Sequence, residues 1–394
     1  MQKVALNFIC KDESHVILKM LRSAQPIVDL IVAVDTGSTD NTRAIIEQFG
    51  QEHQIPTYVF ERPFDDFSGS RNFALEKLRS VAADLGWNAH KTFVLWMDCD
   101  EKLVIHPSFK KNKLNKDIHS VPGAIDNLPY TRDEFFKLSK NFFWYGPIHE
   151  KLSINEPVVF VSVPGIEMVS EKTGSSWKGH LGEKNKRYGD ILEDFIEHQD
   201  RGERWVFMTA QSYATAGFYY EDGEEKVKLL RKAIRYYDEV AGMVGADIES
   251  RYFAQLQVGS IMELLGDNWL EVQAAFFRAY MTDPIRGEAI KYIIQHYIKQ
   301  KNWPQAYIYT NFAKSTFLNH NPSHLRSRFV DQIFYNWEVL ELHREVCRNS
   351  NREKESEDTY KELIKITQRK PEYFNKADME RIRSSKEVLP LINC

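Results

Sequence analysis

Hydrophobic residues recur in two rhythms along the chain, and the change falls near residue 185. Before it, short apolar runs alternate with helical patterns. Val4 to Ile9 predicts a strand, Ser14 to Gln25 a helix, and Leu30 to Val34 a second strand ending at Asp35. Gly37, Ser38, Thr39 and Asp40 form a turn, with Thr39 or Asp40 placed to cap a helix running to about Phe49. Thr57 to Glu61 predicts a third strand. Ser68 or Ser70 opens a helix over Arg71 to Leu85, and Thr92 to Met97 is a fourth strand. Strands alternating with helices imply a mostly parallel sheet. Residues 107–145 are less regular, as expected of loops and edge strands that shape a pocket, and Val158 to Val163 predicts a further strand.

Beyond residue 185, β-branched runs nearly vanish. Segments at 185–199, 203–220, 224–241, 249–266, 269–282, 286–300, 303–317 and 325–347 read as successive helices. Their short connectors carry Gly223, Gly266, Pro284, Pro304 and Pro322. Phe276, Ala279 and Pro284 keep the closing spacing of a tetratricopeptide repeat, so an antiparallel, repeat-like helical array is expected. Trp205, Tyr213, Tyr219, Tyr220, Trp269, Trp303 and Trp337 stand at helical spacing and are expected in its core. Asn349 to Asp358 is highly charged and reads as a solvated loop before a last short helix. The expected division is a first domain over 1–184 and a second over 185–394.

Composition adds little to this picture but excludes several classes. The 394 residues suffice for two separate cores, and 43% hydrophobic with 27% charged residues describes an ordinary globular protein. A formal charge of −4 argues against a large non-specific nucleic-acid surface. The cysteines Cys10, Cys99, Cys347 and Cys394 form no C-x-x-C pair. Cys10 and Cys99 end apolar runs and read as small buried hydrophobes, which fits a reducing, cytoplasmic setting. The N-terminus enters a strand almost at once, without the pattern of a signal peptide. No segment approaches the roughly twenty apolar residues of a membrane span.

Polar clusters follow each of the first four predicted strands. They are Asn7 to Glu13, which includes Asp12, then Asp35-Thr36-Gly37-Ser38-Thr39-Asp40, Asp66-Phe67-Ser68-Gly69-Ser70-Arg71-Asn72, and Asp98-Cys99-Asp100-Glu101. Four polar strand ends on one sheet edge describe a nucleotide-sized crevice. Strand alternation would turn Asp98 and Asp100 toward one pocket. Such a pair of hard oxygen ligands suits Mg²⁺ or Mn²⁺ sharing its shell with substrate phosphates. Asp35 is placed to accept from a base N–H or a ribose hydroxyl. Arg71, opening a helix, is placed to hold a phosphate together with that helix's N-terminus. The blander reading makes Asp40, Ser68 and Ser70 simple caps.

These residues carry a resemblance. Residues 1–182 are similar to a family 2 glycosyltransferase with the GT-A nucleotide-sugar fold. The likeness rests on the Asp35–Asp40 block, Phe67 to Asn72, the D-x-D at Asp98 and Asp100, Trp144-Tyr145-Gly146-Pro147-Ile148-His149-Glu150, and Gly179-His180. The helical half resembles the tetratricopeptide-like regions fused to many bacterial and phage members, including its Asp283 to Glu288 stretch. The resemblance implies a Rossmann-like α/β nucleotide-sugar-binding domain followed by an all-α helical-repeat domain. It implies Asp100 on the metal, Asp98 nearer the ribose or sugar, and His180 completing the metal shell. Gly146 matches the loop that lets the acceptor approach. Asp12, Asp35, Arg71 and Lys184 fall on the donor side, Lys184 able to neutralise the diphosphate. Glu150 falls where the family places its catalytic carboxylate. Many relatives carry two acidic residues there; this chain has His149-Glu150, which leaves either residue as proton acceptor.

The activity implied is metal-dependent, inverting transfer of a sugar from a nucleotide diphosphate sugar, UDP-linked by expectation. The acceptor stays open among a peptide, a glycan, a lipid-linked glycan and, less favoured by charge, modified phage DNA. The helical half would hold the acceptor, a protein partner or a second copy. A nucleotidyltransferase is disfavoured because Asn7 to Glu13 has neither glycine nor a basic cluster. A Walker A loop and His-x-Glu zinc spacing are absent. The remaining rival is a catalytically idle scaffold acting through its helices.

Overall fold

The computed structural model describes residues 2–384 apart from 126, 127, 172, 175–179, 222 and 327. The chain divides into two compact units, Met1–Lys184 and Asn185–Cys394. The first unit begins β1 (Lys3–Cys10), α1 (Ile17–Ala24), β2 (Leu30–Asp35), α2 (Thr42–His53), β3 (Thr57–Glu61), α3 (Phe67–Asp84), β4 (Thr92–Trp96). It continues with β5 (Glu101–Ile105), β6 (Ile118–Ile125), β7 (Leu128–Lys137), β8 (Phe143–Tyr145), β9 (Lys151–Ser153), β10 (Phe160–Ser162) and β11 (Ile166–Ser170).

β3, β2, β1 and β4 lie side by side and parallel. Every residue of β2 is buried, as a strand covered on both faces requires. Alternation along β1 divides the load. Val4, Leu6 and Phe8 pack with Ile17, Met20 and Leu21 of α1 and Phe49 of α2, whereas Ala5 faces Leu75 and Leu78 of α3. Asn7 lies between them, its amide donating to the carbonyls of Val32 (2.9 Å) and Ala74 (3.1 Å). The four carboxyl ends share one edge, with Cys10 opposite Asp35 and Asp35 opposite Glu61.

Three local expectations need correction. Residues 107–145 hold β6 and β7, and antiparallel β7 sits inside the sheet between β4 and β6. The cap of α3 is Asp66, whose Oδ1 accepts from Gly69 N (2.6 Å), so the helix starts before Ser68 and Ser70. β4 ends at Trp96, and residues 98–101 close a turn in which Asp98 N donates to Glu101 Oε2 (2.8 Å). Strand alternation therefore does not govern the D-x-D.

The helical unit takes over within α4 (Leu181–His198). It continues through α5 (Glu203–Tyr219), α6 (Glu224–Gly242), α7 (Ile248–Leu264), α8 (Trp269–Thr282), α9 (Glu288–Lys299) and α10 (Trp303–Phe317). From α5 on, each of these packs on the next. The expected helix over 325–347 is instead a π turn, Phe334–Glu338, leading into α11 (Val339–Asn349). The expected charged loop over 349–358 is mostly helix, because α12 (Glu353–Arg369) buries Ser356, Thr359, Leu363 and Thr367 along one face. α13 (Lys376–Ser384) follows. Trp205, Tyr213 and Trp337 are core residues as expected, but Tyr219 is half exposed.

The Asp283 to Glu288 stretch is a structural clasp. Arg286 pairs with Glu288 (2.9 Å) and donates to the carbonyls of Arg328 and Phe329, while Asp283 pairs with Arg326. Gly287 is required there, since a Cβ would stand 2.7 Å from Phe334 and 2.8 Å from Phe317.

Candidate active site

Loops from the four parallel strand ends interlock before any ligand is considered. Asp35 Oδ1 accepts from the backbone N–H groups of Gly37 (3.1 Å) and Ser38 (2.8 Å), closing the turn after β2. Asp12, in the left-handed region at φ 54°, accepts from Thr39 N at 2.7 Å. Its own N–H donates to Ser38 Oγ (3.0 Å), so the β1 and β2 loops hold each other. Asp40 accepts from Ser14 N and Thr42 N. Its carboxyl lies far below the usual carboxylate range because these hydrogen bonds outweigh desolvation.

Arg71, one turn into α3 rather than at its opening, ties together residues far apart in sequence. Its Nη2 lies 3.0 Å from Asp98 and its Nε 2.5 Å from Glu150. The guanidinium carbon is 4.8 Å from the Trp96 ring and 4.9 Å from the Trp144 ring. Such contacts favour arginine over lysine. Asn72 locks the arrangement by donating to Trp144 O (2.8 Å) and accepting from Trp144 N (2.7 Å). Arg71 is 8% exposed; among the described residues its Nη1 meets no acceptor, and its Nε faces Glu150 as an ion pair outside hydrogen-bond geometry. A buried guanidinium N–H left open is costly unless an anionic or carbonyl oxygen arrives.

Arg132 on β7 pairs with Asp98 (3.6 Å) and Glu101. Burial works against ionisation of Asp98, but Arg71 and Arg132 prevail and hold its carboxyl below the usual carboxylate range. Asp100 has other company: Gly174 N donates to its Oδ2 (3.2 Å). Partial burial draws the Lys184 ammonium below its usual range, and Asp100 opposes that shift. Gly146 and His149 both sit at positive φ, 104° and 53°. That bend leaves His149 exposed while the Glu150 side chain, 8% exposed, turns inward to Arg71. His180 is exposed at the start of α4, its Nδ1 accepting from Glu183 N at 3.4 Å.

The fold thus brings Arg71, Asp98 and Glu150 into contact, and Asp100 near Lys184. Asp98, Asp100 and His180 do not converge within 4.8 Å among the described residues. Two carboxylates and one imidazole are, as donor types, suited to Mn²⁺ or Mg²⁺. Sequence reasoning missed Arg132, hidden in a segment read as irregular, and the packing of Arg71 against Trp96, read as part of an apolar strand, and Trp144, read only as part of the Trp144–Glu150 motif. Gly179 lies outside the described residues.

The profile of glycosyl transferase family 2 matches residues 8–150, which spans the β1–β4 edge, Arg71, Asp98 and Glu150. Residues 8–150 are thus similar to a family 2 glycosyltransferase domain. An uncharacterized glycosyltransferase of Rickettsia felis is 35% identical over 74 residues, covering 19% of this chain and 24% of the relative. A TPR repeat-containing protein of Synechococcus elongatus is 32% identical over 105 residues, 27% of this chain and 22% of the relative. The chain thus spans about a quarter of the length of these curated relatives. Among solved structures, S. aureus TarS 1–349 in complex with UDP aligns over 66% of this chain and 88% of that one, with a TM-score of 0.33 and 12% identity. MamA aligns over 51% and 99%, with a TM-score of 0.35 and 11% identity. No helix among the described residues is long and apolar enough to cross a membrane.

Proposed function

We propose that the chain transfers a sugar from a nucleotide diphosphate sugar, UDP-linked, to an acceptor, with inversion at the anomeric carbon. One observation carries the reading: a single buried arginine holds both Glu150 and Asp98 within the region that matches the family 2 glycosyltransferase profile. Glu150 rather than His149 is the general base, because Glu150 turns inward and His149 faces solvent. It takes the proton of the acceptor nucleophile as that atom bonds to the anomeric carbon. The bond to the diphosphate oxygen breaks, and the leaving group keeps the electron pair. Arg71 fixes Glu150 and offers its open Nη1 to an oxygen of the donor. Asp35 and Asp12 shape the nucleoside side of the crevice. Lys184 stands by the diphosphate, and the positive φ of Gly146 opens the acceptor side. Asp100, Asp98 and His180 would hold a divalent Mn²⁺ or Mg²⁺, which supplies Lewis-acid stabilisation of the departing diphosphate when bound. A polypeptide or glycan acceptor is proposed over DNA, given the net charge of −4.

The test is nucleotide release from a panel of UDP- and GDP-sugars with Mn²⁺ or EDTA, beside an Asp100→Ala variant. Metal-dependent release from one donor, lost in the variant, supports the reading. Absence of both release and metal-dependent donor binding by calorimetry would replace it with the idle scaffold.

A further inference from the structure

A second cluster of chemistry-bearing side chains lies wholly within the helical unit, remote in sequence from every residue of the proposed transfer site. His343 and Cys347 sit four residues apart on one face of α11, both fully buried, and Glu355 on α12 faces them. The imidazole Nε2, the thiol sulfur and a carboxylate oxygen all lie within 4.8 Å of one another. Nε2 is 3.5 Å from Cys347 Sγ and 3.0 Å from Glu355 Oε1. A tetrahedral zinc, with bonds of about 2.3 Å to sulfur and about 2.0 Å to nitrogen, sets those two atoms about 3.5 Å apart.

Two hydrogen-bonding arrangements fit these contacts. With the Thr310 hydroxyl turned to Tyr307 O (3.2 Å), His343 Nδ1 donates to Thr310 Oγ1 (3.1 Å) and the Nε2 lone pair faces both the thiol and the carboxylate. With that hydroxyl turned to Nδ1, Nε2–H donates to Glu355. The first arrangement is the one that opens Nε2 to an ion. The placement is wrong for a Cys-His-Glu relay, in which thiol and carboxylate would contact opposite nitrogens. Here both converge on Nε2, as ligands of one ion do.

We propose that His343 Nε2, Cys347 Sγ and Glu355 form a zinc-binding site that joins α11 to α12. Borderline imidazole and soft thiolate donors with one carboxylate match Zn²⁺ in preference to Mg²⁺ or Ca²⁺. Outer partners are in place: Thr310 orients the imidazole, and the Tyr307 hydroxyl donates to Glu355 (3.0 Å). One thiolate and one carboxylate neutralise the dication, so nearby Arg352 and Lys314 face no excess positive charge. Glu355 is 34% exposed and lines a surface cleft with Lys314, Arg352 and Thr359, which gives the ion a path and a water a fourth position.

The experiment titrates the full chain, stripped of metal, with Co²⁺ and Zn²⁺. The expected result is a thiolate-to-cobalt charge-transfer band in the wild type and in Cys394→Ser, absent from Cys347→Ser. Zn²⁺ should displace that band, and Glu355→Gln should weaken zinc about tenfold or more. A wild type without the band, or a band that survives Cys347→Ser, overturns the proposal. If Cys347→Ser does not fold, Glu355→Gln decides: unchanged zinc affinity means that the trio is an ordinary buried hydrogen-bonded cluster. Asp100→Ala should keep the band, since the two sites share no residue.

Discussion

Arg71 and Arg286 are the two buried arginines among the described residues, and they do opposite things. Each lies against aromatic rings and pairs with a buried carboxylate, Glu150 for Arg71 and Glu288 for Arg286. In the helical unit every guanidinium nitrogen of Arg286 has an acceptor: Glu288 for Nε and Nη2, the Arg328 carbonyl for Nη1. Glu288 is closed off in turn by the Tyr252 and Tyr335 hydroxyls and the Asp331 N–H. In the α/β unit Arg71 keeps Nη1 open, and its other carboxylate, Asp98, is 37% exposed. A completed network stores its energy in the fold, whereas an incomplete one at a crevice holds donors ready for a ligand.

The comparison predicts the largest stability loss at Arg286. Arg286→Ala leaves the buried Glu288 carboxylate without its counter-charge and should cost about 3–5 kcal/mol. Urea unfolding followed by circular dichroism measures this, and a loss below about 1 kcal/mol would erase the contrast. Arg71→Ala should instead fall on function. Donor turnover should drop about 10²-fold, as when a preorganised donor is removed from other sites. Stability should fall less than for Arg286→Ala, because Asp98 can be rehydrated. Arg71→Lys should recover little, since an ammonium cannot span Asp98 and Glu150 as a fork does.

Smaller effects sharpen the same contrast. Gly146→Ala forces a side chain onto φ 104° and should cost about 1–3 kcal/mol. Thermal unfolding with and without donor would show the loss to be greater when donor is bound. Asp98 ionises more readily in the folded chain than its ordinary value of 3.8, so its ion pairs stabilise the fold above that pH. The contribution fades as pH falls below 3.8 toward the lower folded value. Stepped-pH urea unfolding should therefore show a flatter acid limb for Asp98→Asn, by at most about 1 kcal/mol for so exposed a pair. Parallel limbs would mean that Asp98 contributes nothing to folding.

What the sequence reveals follows from how each element packs. β1, β2 and β4 are apolar runs buried on both faces and β3 is a short β-branched and aromatic run at the sheet edge, so their positions and polar ends were legible, and with them the Asp35 turn and Asp98. β6 and β7 carry Pro122, Gly123, Pro129 and charged side chains, which mask strands inserted into the sheet interior. α12 packs through Ser356, Thr359 and Thr367, and a count of hydrophobic residues passes over hydroxyls. The D-x-D was legible as a motif, but its geometry was not. Glu101 closes a turn there, sending Asp98 to Arg71 and Asp100 to Gly174. Arg132 reaches Asp98 only through the pairing of β7 with β4, a long-range register that no local spacing announces. Between His149 and Glu150 the sequence could not choose; the two differ in exposure, and the proposal of Glu150 as base rests on that difference.

The central claim is that Glu150, held by Arg71, removes the acceptor's proton. Its most direct test measures donor affinity by calorimetry and sugar transfer or donor hydrolysis by nucleotide release, both on Glu150→Gln. The account predicts donor binding close to wild type and a turnover lower by about 10²–10⁴-fold, the usual share of a general base. Turnover equal to wild type, with donor still bound, would contradict it.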